Sequence, residues 1–146
     1  MSDNLFDSIM KSFLAQIGSA LKISKIISEH SSEKEISEDA VISGLVYRLM
    51  TPMKSGEMTE SLDNASDIYD KILYGSDESD GSDEEVVVIE ERNIDRKIKV
   101  NLCNCETCMR ARVCLINYSN HEPKDNLEVM FKNAIDTACK KGKIYI

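Results

Sequence analysis

Four thiols, Cys103, Cys105, Cys108 and Cys114, fall within twelve residues in the pattern C-x-C-x2-C-x5-C. In an extended segment, side chains two apart share a face with α-carbons about 7 Å apart, so Cys103 and Cys105 are close enough to share one ion. Cys108 then closes a turn whose backbone amides face the sulfurs, and Cys114 supplies a fourth ligand from the start of the next element. Four sulfur ligands suit zinc, and Arg110 and Arg112 nearby would ease deprotonation of the thiols. An iron–sulfur centre is the alternative. His121 is a possible substitute ligand, because zinc accepts a Cys3His set equally well. Cys139 is a spare thiol that helical spacing places elsewhere, and His30 reads as an ordinary residue.

Disulfides and redox chemistry compete for the same residues. The cysteine count of five is odd, and the opening MSDNLFDSIMKSF has no charged-then-apolar leader, so an oxidising compartment is not expected. A redox C-x-x-C needs a following helix, whereas MRARVCLINY after Cys108 reads as strand. One structural zinc ion is therefore the expected cofactor. Four ligands around one ion leave no place for water, only two histidines are present, and no phosphate loop or nucleophile elbow occurs. A non-enzymatic protein is expected.

The elements that must position this knuckle divide by charge. Residues 1–85 hold 7 basic and 18 acidic side chains, net −11, and residues 86–146 hold 11 and 8, net +3. Between them, Gly75–Glu85 (GSDESDGSDEE) has no apolar residue to offset its ordering entropy and reads as a flexible acidic linker. Ser82 precedes three acidic residues in an arrangement resembling acidophilic casein-kinase-2-type sites. Its phosphorylation would in turn prime Ser79 and Ser76.

Residues 1–74 read as a small helical interaction module. Phe6, Ile9, Met10, Phe13, Ile17, Leu21 and Ile27 follow a helical period after a possible cap at Asp3, and Phe6, Phe13, Ala20 and Ile27 are seven apart, as a homodimer seam would require. Ser37 starts a second helix that Pro52 ends, and a third runs from about 59 to 73. Residues 86–146 read as a zinc-stapled α/β module of ββ-knuckle-βαβ type: strands 86–89, 98–102 and 113–118, a helix capped by Asp125 and stopped by Gly142, and a last edge strand in KIYI. The fold class expected is thus α+β.

No apolar run approaches membrane-spanning length, which points to an intracellular chain, cytoplasmic or nuclear. The function expected is adaptor or regulatory binding, with a protein partner engaged through the helices. The alternative is a nucleic-acid-associated factor, in transcription or packaging, using Arg96, Lys97, Lys99, Arg110, Arg112, Lys140, Lys141 and Lys143 as a basic surface. The Ile-, Lys- and Asn-rich composition would suit an AT-rich genome, such as that of a large DNA virus.

Overall fold

The computed structural model describes residues 2–73 and 94–146, with side chains over 5–72 and 94–146. Its elements are α1 (Ser2–His30), α2 (Glu38–Met50), α3 (Ser55–Leu73), β1 (Arg96–Lys97), α4 (Glu106–Asn117), α5 (Asn126–Gly142) and β2 (Ile144–Tyr145). No helix among the described residues is long and apolar enough to cross a membrane. The linker with Ser76, Ser79 and Ser82, and the strand expected at 86–89, lie outside the described residues.

Three helices form over the apolar-periodic runs, with Asp3 inside α1 rather than capping it and α3 starting at Ser55, earlier than the expected 59. Ser37 caps α2, its hydroxyl accepting from the Ala40 amide at 3.1 Å, with Glu38 and Asp39 in the positive first turn. Buried Ala15, Ala20, Ile23, Ser24 and Ile27 make the inner face of α1. Small residues there let α2 come close. Gly44 faces Ala20 and Ser24 where a side chain would meet α1 backbone. Phe13 meets Phe131 of α5 edge to face, ring centres 6.1 Å apart. Of the four heptad-spaced residues, Phe13, Ala20 and Ile27 thus pack within the chain, while Phe6 is exposed.

The C-terminal segment corrects the α+β expectation: the protein is mostly helical, and no ββ-knuckle-βαβ module is seen among the described residues. The run 113–118, expected as a strand, lies in α4 and the 3-10 turn that follows it. Its contiguous apolar letters imitate a strand, but the buried positions are Cys108, Ala111, Cys114, Leu115 and Tyr118, which have helical spacing, while Val113 and Ile116 face solvent. Residues 98–102, expected as a strand, lie outside any strand. The tail does form a short strand, β2, but it pairs in parallel with β1, Arg96 opposite Ile144 and Lys97 opposite Tyr145. At the end of α5, Gly142 is still helical and Lys143 takes the left-handed conformation, φ 51°.

The described residues on either side of 74–93 share one core. Ala20, Ile42, Leu45 and Val46 from α1 and α2 cluster with Ile98, Cys114, Leu115, Tyr118, Phe131, Ile135 and Ile144. A polar link accompanies it: both oxygens of Asp39 on α2 accept from the Arg96 guanidinium at 2.6 and 2.7 Å, and one also accepts from the Lys99 amide at 2.6 Å. Burial alone would raise the Asp39 pKa, but the Arg96 and Lys99 hydrogen bonds outweigh it and hold the carboxyl below its ordinary value.

Asp39→Asn should therefore cost about 2 kcal/mol at neutral pH, the order expected when one partner of a partly buried bidentate pair is neutralised. Because the native pKa is the lower one, this contribution is complete above the unfolded carboxylate value of about 3.9 and fades as pH falls through the native value. Urea titrations of both proteins should accordingly differ by a constant amount from pH 8 to pH 5 and converge in acid. A difference that persists unchanged at pH 2 would count against the ion pair.

Candidate metal centre

The knuckle is built on the start of a helix. Cys105 is the N-cap of α4, in extended conformation, and its sulfur accepts from the Cys108 amide at 3.4 Å, as a Ser or Asp cap oxygen would. Cys103 precedes it, and its sulfur accepts from the Cys105 amide at 3.4 Å. Two thiols and the two backbone amides that donate to them therefore sit at the positive end of a helix dipole.

The fourth donor comes from far away in the chain. His30, the last residue of α1, places Nδ1 3.2 Å from the Cys103 sulfur, 3.2 Å from the Cys105 sulfur and 3.6 Å from the Cys108 sulfur. All four donor atoms lie within 4.8 Å of one another, and together they could hold a metal ion. His30 stands at the negative end of the α1 dipole, which favours a cation there, while the positive end of α4 favours the thiolates that would bind it. Backbone hydrogen bonding from Cys108 brings the Cys105 thiol down to about 7, helped by the neighbouring thiols and His30. Burial pushes the Cys108 thiol the other way. A bound cation would offset that burial penalty and hold all three as thiolates.

Asn101 ties the arrangement together. Its Nδ2 lies within hydrogen-bonding reach of the Ile27 carbonyl (3.3 Å), the Ser31 hydroxyl (3.0 Å) and the Cys108 sulfur (3.4 Å). Its Oδ1 accepts from the Cys103 amide at 3.2 Å and from Arg112 at 3.1 Å. One side chain thus joins the end of α1, the segment before the knuckle and α4. Outer partners of this kind fix the orientation of metal ligands.

Of the residues singled out from the sequence, Cys103, Cys105 and Cys108 are brought together. Cys114 is not among them. It lies six residues beyond Cys108 on α4, about 9 Å of helix rise, buried in the main core with its sulfur 3.7 Å from the Thr51 hydroxyl. His121 lies after α4, its Nε2 3.1 Å from a Glu128 oxygen. Cys139 is half-buried on α5, where burial raises its pKa to about 11.

Arg96 is held by Asp39, Arg112 donates to the Asn101 carbonyl at 2.8 Å, and Arg110 is within 3.5 Å of Glu106. Lys97 and Lys99 lie on β1 and the segment after it, Lys140 and Lys141 in the last turn of α5, and Lys143 at its C-cap.

His30 and Asn101 were not legible as site residues. A histidine at a helix end carries no local mark of a ligand when its partners lie 73 to 78 residues away. No family model, curated protein or solved structure matches the chain.

Proposed function

We propose that this chain is a non-enzymatic binding protein of adaptor or regulatory type, stapled by one structural zinc ion in a Cys3His site. The observation that carries the reading is the convergence of His30 with three cysteines of a distant knuckle. In a tetrahedral zinc site with Zn–S of about 2.3 Å and Zn–N of about 2.0 Å, nitrogen and sulfur ligands stand about 3.5 Å apart. The separations of 3.2, 3.2 and 3.6 Å fit that figure with little adjustment. Three soft thiolates and an imidazole favour zinc over hard cations. Four protein ligands close the coordination sphere, which suits a staple rather than a catalyst.

What the staple holds is the end of α1 against the start of α4. The helical surface kept in place leaves Leu5, Phe6, Ile68 and Ile72 exposed on α1 and α3, and these offer a protein partner apolar contact. Nucleic-acid binding is the weaker reading, because Arg96 and Arg112 are committed to partners within the chain.

Elemental analysis of protein purified without added metal should find one zinc per chain. Stripping it with a strong chelator should lower the melting temperature, and zinc should restore it. Absence of metal, or iron with sulfide in its place, would overturn the assignment.

A further inference from the structure

The strand expected after Cys108 is the ground against a redox C-x-x-C, and α4 (Glu106–Asn117) stands in its place. Cys105 is the N-cap of that helix, half-buried, and its sulfur accepts from the Cys108 amide. Cys108, in the first turn, is 1% exposed. An outer thiol at a helix start with a buried thiol three residues on suits thiol–disulfide chemistry, because an oxidant reaches the outer sulfur and the inner one then attacks it. The two sulfurs lie within 4.8 Å of each other. Cys103 precedes the helix, with its amide donating to Asn101. Of the four donors only Cys108 is buried, so a small oxidant can approach Cys105 from solvent.

We infer that Cys105 and Cys108 are a reversible dithiol–disulfide pair that lets go of the metal staple when a hydroperoxide oxidises it. The Cys105 thiolate attacks one peroxide oxygen, the O–O bond breaks, and the departing oxygen takes a proton from solvent to leave as water or an alcohol. The Cys108 thiolate then attacks the sulfur of the resulting sulfenic acid. The S–O bond breaks, and hydroxide leaves with a second solvent proton as water. Two electrons have passed from the sulfurs to the peroxide, and a dithiol returns them by exchange, becoming a disulfide itself. Oxidation leaves Cys103 and His30 as the remaining ligands, short of the four that a structural zinc takes. The end of α1 is thereby untied from the start of α4. The release step rests on the Cys3His reading and names how that site is regulated.

The test adds hydrogen peroxide to the full chain as purified, reads released zinc with a colorimetric chelator, and locates the thiols by alkylation and mass spectrometry. Zinc should leave as Cys105 and Cys108 join with the loss of two hydrogens, while Cys103, Cys114 and Cys139 still alkylate. Dithiothreitol with added zinc should restore the starting state. In the full chain stripped of metal, this disulfide should form at least about tenfold faster than half-buried Cys139 is oxidised. A disulfide between another pair, sulfinic or sulfonic acid without a disulfide, zinc retained once the disulfide has formed, or oxidation no faster than that of Cys139 would overturn the inference. A disulfide that forms in a chain purified without zinc would uphold the redox pair while the metal reading fails.

Discussion

Alanine in place of His30 should lower zinc affinity at least about a hundredfold, more than the loss of an outer-shell partner usually costs. It should also destabilise the protein strongly. A metal bridge from His30 to Cys103 closes a loop of 73 residues, and a cross-link of that span is worth about 4 kcal/mol in the chain-entropy account. The contrast with two other variants makes the prediction specific. His121→Ala should keep its zinc, because that ring faces Glu128. Cys114→Ser should keep zinc as well, while losing about 1–3 kcal/mol of stability from placing a hydroxyl in the apolar core. Metal loss in Cys114→Ser with retention in His30→Ala would reverse the ligand assignment.

Gly44→Ala should destabilise by about 2 kcal/mol or more, although alanine is the better helix former. The propensity gain is about 1 kcal/mol. Against it, the added carbon would stand 2.5 Å from the Ala20 carbonyl oxygen and 3.0 Å from the Ser24 amide nitrogen. Both are backbone atoms of α1, which no rotamer change can move, so the two helices must part and loosen the contact that carries Ile42, Leu45 and Val46. Urea denaturation of the two proteins would measure it, and a more stable Gly44→Ala would show that α1 and α2 do not touch so closely.

The sequence carried the local part of this structure and little of the long-range part. Helix starts at Ser37 and Asp125 are legible because the cap and the amide that donates to it lie three residues apart, and both caps form. The dense thiols at 103–108 announce themselves for the same reason. Residues 113–118 misled because a buried helix face next to exposed Val113 and Ile116 has no polar gap to mark its period. Cys114 then followed as a candidate ligand from the strand expected there. His30 and Asn101 are invisible to spacing arguments, since what joins His30 to the knuckle, and Asn101 to the end of α1, is the return of the chain after seventy residues or more. The shared core was hidden in the same way: the acidic run at 75–85 suggested a boundary, whereas packing of Ile42 and Val46 with Ile135 and Ile144 is decided by tertiary contact.

X-ray absorption at the zinc edge of the purified full chain tests the central claim most directly, because it counts ligand types around the ion. Three sulfurs at about 2.3 Å and one imidazole nitrogen at about 2.0 Å are expected, with the imidazole contribution absent from any zinc bound by His30→Ala. Four sulfurs, or an imidazole signal that survives in His30→Ala, would contradict the clamp between α1 and the cysteine knuckle.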